Sequence, residues 1–92
     1  MSDWSVYMIH CSDNSLYTGI SNDVKRRLQQ HAMQQGAKYF RGRQPEKLVY
    51  LEGGHDRSTA SQREAEIKKL TRQKKEALIN SELNSASSLG VG

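Results

Sequence analysis

The sequence predicts an α+β fold: a three-stranded antiparallel sheet flanked by helices, in the order β-β-α-β-α-α. Three observations carry the prediction. Two runs rich in β-branched and aromatic residues, Trp4 to Cys11 (WSVYMIHC) and Ser15 to Ile20 (SLYTGI), flank a turn and read as a hairpin. A third run, Leu48 to Glu52 (LVYLE), supplies the strand that makes the sheet viable, since two strands are marginal in water. Between and after these runs, apolar residues recur at helical spacing.

The turn Ser12-Asp13-Asn14 has a mechanism. Asp favours turns through side-chain-to-backbone bonding, and Asn tolerates the left-handed conformation. A three-residue loop of type I turn plus bulge places Asn14 in that conformation. It pairs Cys11 with Ser15, Ile9 with Tyr17 and Tyr7 with Gly19, which makes Tyr7 and Tyr17 diagonal neighbours on one face. A two-residue loop would shift the register by one and send the tyrosines to opposite faces.

Ser21, Asn22 and Asp23 can each cap the first helix, which is expected to run to about Gln34 or Gln35, where Gly36 ends it. Its inward stripe is Val24, Leu28 and Ala32. Arg27 and His31, four apart, flank that stripe, while Lys25 and Arg26 point more toward water. Gly36 to Lys47 reads as a loop, and Gly53 to Asp56 as the exit from the third strand. Ser58 or Thr59 caps a second helix with the stripe Ala60, Glu64, Ile67 and Leu70 or Thr71. Thr71 caps a third helix through about Ser81, with Ala77 and Leu78 inward. From Asn84 the chain turns to Ser, Ala and Gly, too little apolar surface to order itself. Residues 1–83 are therefore expected as a single domain and 84–92 as a disordered tail.

Ninety-two residues leave room for one small core, burying about 60–65% of the unfolded surface. The single cysteine, Cys11, excludes an intramolecular disulfide and cannot alone make a zinc site, which points to a reducing, cytoplasmic setting. No apolar run of about 18 residues marks a membrane span, and MSDWSVYMIH lacks the pattern of a signal peptide. The net charge is +4, and the basic residues are bunched: Lys25, Arg26 and Arg27; Lys38, Arg41 and Arg43; then Lys68, Lys69, Arg72, Lys74 and Lys75. Three basic patches on separate elements attract a polyanion and supply phosphate contacts, so nucleic acid is the leading partner; a solvated helix face is the plain alternative. Tyr39 among the loop cations suits base stacking, whereas Phe40 reads as a loop anchor.

The polar residues at unexpected positions are Tyr7 and Tyr17 on one sheet face, Arg27 and His31 beside a core stripe, and Glu64 within one. A carboxylate there is costly without a partner or a metal, whereas Glu66 lies off the stripe. Phosphodiester hydrolysis needs such a set: a base for water, a cation for charge developing on phosphorus, and a carboxylate for a divalent metal. One carboxylate plus waters suits Mg²⁺.

Ser5-Val6-Tyr7, then Tyr17-Thr18-Gly19, then Arg27, His31 and a helical Glu64 resemble the GIY-YIG nuclease superfamily, most closely its small, stand-alone bacterial members. The resemblance covers roughly Trp4 to Ile79, with LYTGISNDVKRRLQQH and GAKYFRGRQPEKLVY both characteristic. It implies a metal-dependent DNA endonuclease with one Mg²⁺ or Mn²⁺ per site, serving DNA repair or processing. In the family the tyrosine matching Tyr7 or Tyr17 assists deprotonation of the attacking water and the arginine matching Arg27 stabilises the phosphate. The residue matching His31 assists near the scissile group, and the glutamate matching Glu64 binds the metal. Lys25, Arg26, Lys38, Tyr39, Arg41, Arg43 and Lys68 are the expected nucleic-acid contacts. The first motif lacks its glycine, and Phe40 stands where related small members often carry threonine. Larger members carry an added targeting domain, so a protein partner is one source of substrate choice here. The competing readings are a non-catalytic module binding DNA or RNA, and a nuclease subunit that depends on such a partner.

Overall fold

The computed structural model describes residues 3–32 and 44–86, with the side chains at 31 and 32 left aside. Its elements are β1 (Trp4–Cys11), β2 (Leu16–Ser21), α1 (Val24–Ala32), β3 (Pro45–His55), α2 (Arg57–Lys68) and α3 (Arg72–Ile79). The strands form one antiparallel sheet in the order β2-β1-β3, the α+β arrangement expected. Among the described residues no helix is long and apolar enough to cross a membrane.

Turn chemistry sets the hairpin register. Asn14 has φ 67°, the Asp13 carboxylate accepts from the Ser15 amide at 3.1 Å, and the Cys11 amide donates to the Ser15 carbonyl at 2.9 Å. Ile9 faces Tyr17 and Tyr7 faces Gly19, as the three-residue loop requires. Arg72, at the start of α3, donates to the Asn14 carbonyl at 2.6 Å and ties the hairpin tip to the last helix.

The central strand is covered on both sides. Val6, Tyr7, Met8 and Ile9 are each at most 1% exposed, so β1 is continuously apolar in its middle, not alternating. On one face Tyr7, Ile9 and Cys11 pack with Leu48, Leu51 and Val24, and Leu28 of α1 closes over them. On the other, Val6, Met8 and Tyr50 pack with Ala60 and Ile67 of α2, joined by Leu78 and Ile79 of α3. Each fully buried Val, Leu, Ile or Met side chain among them contributes about 1.5–3 kcal/mol by leaving water.

Several expectations need correction. The third strand extends beyond Leu48–Glu52 to Pro45–His55, taking in Gly53, Gly54 and His55, which sequence placed in the exit loop. Gly54 adopts φ 79°, open without strain to glycine, and the pairing irregularity between Trp4 and Val6 absorbs the extra residue. The α2 cap is Asp56, not Ser58 or Thr59: its carboxylate accepts from the Thr59 amide at 2.8 Å while the Thr59 hydroxyl accepts from the Asp56 amide at 3.1 Å. Thr71 does cap α3, but that helix ends at Ile79, and Ala77, expected inward, is exposed while Leu78 and Ile79 pack. Asn84 to Ala86 belong to the fold and not to a disordered tail. The Asn84 amide group donates to the carbonyls of Val49 and Ile79 at 2.8 Å and accepts from the Leu51 amide at 3.1 Å, and Ala86 is buried. These bonds satisfy backbone groups on β3 that would otherwise lose their partners. The predicted end of α1 near Gln34 or Gln35 lies outside the described residues.

A polar network seats α2 on β3. The Glu52 carboxylate, its side chain 14% exposed, accepts from the Tyr50 hydroxyl at 2.5 Å, His55 Nε2 at 2.7 Å and Arg63 Nε at 3.1 Å. Burial pushes the Glu52 carboxyl up, but hydrogen bonds from Tyr50 and His55 and the Arg63 charge outweigh it and hold the group below the ordinary carboxylate range. Burial and the neighbouring Glu52 push the Tyr50 phenol up to about 12. Arg63 directly precedes Glu64, so the network fixes the rotation of α2 at the residue before the expected metal ligand.

Candidate active site

Tyr7 is 1% exposed and Tyr17 is half-buried, their ring centroids 6.2 Å apart with planes at 48°. The glycine opposite Tyr7 makes this possible. A Cβ on Gly19 would lie 2.7 Å from Tyr7 Oη, 2.8 Å from Tyr7 Cζ and 3.0 Å from Tyr17 Cε2. The Tyr7 ring therefore crosses β2 at its one residue without a side chain, and its hydroxyl is delivered to the outer edge of the sheet. Sequence reasoning took Gly19 as a motif letter and missed this packing role; the available signal was the glycine lying across from a tyrosine in the predicted register.

Helix α1 starts with almost no slack after β2. The Ser21 hydroxyl accepts from the Asp23 amide at 2.9 Å, and Asp23 caps the helix by accepting from the Arg26 amide at 3.2 Å through its carboxylate and from the Arg27 amide at 3.0 Å through its carbonyl. This short connection brings Arg27 back over the tyrosines. Its guanidinium lies close enough to both phenols to pull their pKa values down, and it donates from Nη1 to Gln30 Oε1 at 3.0 Å. From α2, Glu64 comes close enough for its charge to act on both phenols. Its side chain is 25% exposed and pairs with Lys68 Nζ at 3.5 Å.

The electrostatics of the phenols pull both ways. Burial is the largest effect on Tyr7 and raises its pKa far above the ordinary phenol value, helped by Tyr17 and Glu64 and opposed by the hydrogen bond and charge of Arg27. Burial also raises Tyr17; the Arg27 charge opposes this and the Glu64 charge adds to it. Both groups are therefore protonated near neutrality unless positive charge is added beside them.

Of the residues singled out from sequence, Tyr7, Tyr17, Arg27 and Glu64 come together. Lys25 and Arg26 are exposed on α1, and Lys68 is exposed beside Glu64. His31 lies on α1 with its side chain outside the described residues, as do Lys38, Tyr39, Arg41 and Arg43 altogether. Glu66 points to solvent at 67% exposed and bridges Arg63 at 3.3 Å. Among the described residues no three His, Cys, Asp or Glu side chains converge as a metal cage. Glu64 fits a hard cation as a single oxygen anchor, with water and phosphate oxygens completing the shell, which suits Mg²⁺ or Mn²⁺ and not a closed zinc site.

Comparison with known proteins gives matches of the same extent. The GIY-YIG catalytic domain matches residues 3–77. A UPF0213 protein of Haloquadratum walsbyi is 52% identical over 79 residues, covering 85% of this chain and 89% of that one. A UPF0213 protein of Staphylococcus aureus is 51% identical over 79 residues, covering 86% and 96%. The solution NMR structure of a UPF0213 protein from Bacillus halodurans superposes with a TM-score of 0.56 at 41% identity, covering 92% of this chain and 89% of that one. The matched span holds every residue of the tyrosine, arginine and glutamate cluster, and on that basis the chain belongs to the GIY-YIG catalytic domain family.

Proposed function

We propose that the chain is a metal-dependent endonuclease hydrolysing DNA phosphodiester bonds, acting in cytoplasmic DNA repair or processing. The observation that carries this reading is the convergence of two phenols on one guanidinium, within the field of one carboxylate, beside β2, the outer strand of the described sheet. Arg27 is already held by Gln30 beside the phenols, so it meets a phosphate with little reorganisation and stabilises charge developing on its oxygens. Tyr17, the more exposed phenol, orients and deprotonates the attacking water. Tyr7, at 1% exposed, touches no substrate and positions Tyr17 and Arg27. A Mg²⁺ or Mn²⁺ ion held by Glu64 would supply positive charge that neutralises phosphate oxygens and favours the ionised phenol.

The Lys68–Glu64 pair does not prevent this. A partly exposed pair four residues apart on a helix is worth about 0.3–0.5 kcal/mol, roughly a twofold effect, which a divalent ion easily overcomes. Lys68 then joins Lys25, Arg26, Lys38, Tyr39, Arg41 and Arg43 in contacting the DNA, and His31 assists near the scissile group. A protein partner supplies substrate targeting.

The test is cleavage of labelled single-stranded, duplex, flap and branched DNAs in Mg²⁺, Mn²⁺ or EDTA, comparing wild type with Glu64→Gln, Tyr17→Phe and Arg27→Ala. Metal-dependent cutting should fall by about 10²–10³ in Arg27→Ala and vanish in a folded Glu64→Gln. Wild-type cutting by Glu64→Gln would refute the role of that carboxylate, and binding without cutting across the panel would leave a nucleic-acid-binding module.

A further inference from the structure

A concavity adjoins the phenol cluster. It has a volume of about 280 Å³ and lies between the start of β1, the end of β2 and the first turns of α1; its lining includes Trp4, Ile20, Asn22, Arg26, Arg27 and Gln30, together with the helix-capping Asp23. We infer that this pocket receives one unpaired nucleobase next to the phosphate held by Arg27, so that the preferred substrate has a single-stranded nucleotide at the cut. The inference rests on the nuclease reading for its orientation, though the pocket itself does not depend on cleavage.

The lining matches a base in kind and in size. Trp4 and Ile20 give it an apolar wall, and an indole is a stacking surface for any base. Asn22 and Gln30 offer amides to a base edge, and Arg26 is an exposed cation at the rim. Arg57 lies 5.8 Å over the Trp4 ring, adding positive charge behind the stacking surface. The volume is at or below the low end of the roughly 300–1,000 Å³ of drug-sized ligand sites, which leaves room for one base. Arg27 belongs to both places: it lines the pocket and acts on the phenols. A phosphate on that guanidinium leaves its attached nucleoside beside the pocket mouth. A base still paired within a duplex cannot enter, because its far edge is occupied by its partner.

Trp4 is the single tryptophan of the chain, so intrinsic fluorescence reads the pocket directly in the unmodified protein. The probes are a blunt duplex, the same duplex with a short thymidine flap, and a flap of abasic residues, titrated in EDTA so that nothing is cut. The expected result is quenching by the thymidine flap and little by the blunt duplex or the abasic flap. Affinity for the abasic flap, read by anisotropy, should be weaker by at least about fivefold. Asn22→Ala, at an exposed position, should weaken thymidine-flap binding and narrow the gap to the abasic probe. Equal quenching by all three probes, or none, would overturn the inference. Quenching by the thymidine flap in Glu64→Gln as in wild type supports the pocket whatever that variant does to cleavage. Metal-dependent cleavage without base-dependent quenching leaves the nuclease reading standing and removes the pocket.

Discussion

Replacing Gly19 by alanine tests the packing on which the site depends. Gly19 has no left-handed φ among the described residues, so the substitution carries no backbone strain and its effect is steric. The new Cβ would stand 2.7 Å and 2.8 Å from Tyr7 Oη and Cζ and 3.0 Å from Tyr17 Cε2, where ordinary contact is 3.4–4 Å. The obstructing atoms end a rigid ring that is 1% exposed, so the ring cannot swing into solvent. Nor can the strands part readily, because Tyr7 and Gly19 are paired neighbours in the ladder. Forcing a methyl into such a place costs about 1–3 kcal/mol. Reduced freedom of the unfolded chain returns about 0.4–1 kcal/mol, leaving a net destabilisation of about 1–2 kcal/mol. Cleavage should suffer more than stability, since displacing a positioned group by about 1 Å can cost roughly 10²-fold.

The assay is urea unfolding and single-turnover cleavage of Gly19→Ala, alone and in a Tyr7→Ala background. Removing the ring removes the obstruction, so Gly19→Ala should become neutral or slightly stabilising there, giving a coupling energy of about 1–3 kcal/mol between the two positions. An equal effect in both backgrounds would refute the crossing of Tyr7 over Gly19. Wild-type stability and cleavage in the single variant would refute it as well.

Glu52→Gln should destabilise the protein by about 2 kcal/mol in chemical denaturation, because Tyr50, His55 and Arg63 lose a half-buried charged acceptor. The Glu52 carboxyl is depressed in the folded state, so its contribution is present above the unfolded value of about 4.3 and is lost as pH falls through the folded value. Wild type should therefore lose stability on acidification below about pH 4.3 more steeply than Glu52→Gln; parallel profiles would remove Glu52 as the cause. Thr18→Val should stabilise by about 1 kcal/mol, because Thr18 is 3% exposed and its hydroxyl has no hydrogen-bond partner among the described residues. A rise in Tm of about 4–8 °C with cleavage unchanged is expected, and a fall would show that the hydroxyl has a partner in solution.

The parts of the fold governed by local chemistry were legible in the sequence. Asp13 and Asn14 determine the loop, the loop determines the register, and the register puts Tyr7 and Tyr17 on one face. Helical spacing separated half-buried Arg27 from exposed Lys25 and Arg26, and Glu64 from Glu66. What escaped depends on partners far along the chain or on competition between equivalent signals. Asp56, Ser58 and Thr59 are all good caps, and only the reciprocal bond between Asp56 and Thr59 decides among them. The length of β3 depends on β1 accepting a bulge at Gly54. Asn84 sits in a composition typical of disorder, yet one amide side chain bonding Val49, Leu51 and Ile79 holds the segment down. The pocket beside Arg27 joins Trp4 to residues near the start of α1, a juxtaposition that no local pattern encodes.

The narrowness of the sheet is itself part of the site. Arg27 comes from the helix on the Tyr7 face and Glu64 from the helix on the Val6 face, so the two are separated by the plane of the sheet. They act on the same phenols on the outer side of β2, which among the described residues pairs only with β1. Gly19 then lets Tyr7 reach the edge from the middle strand. A fourth strand beside β2 would put a row of backbone between the arginine and the carboxylate. Arg27 and Glu64, with the two tyrosines, form the proposed place of cleavage.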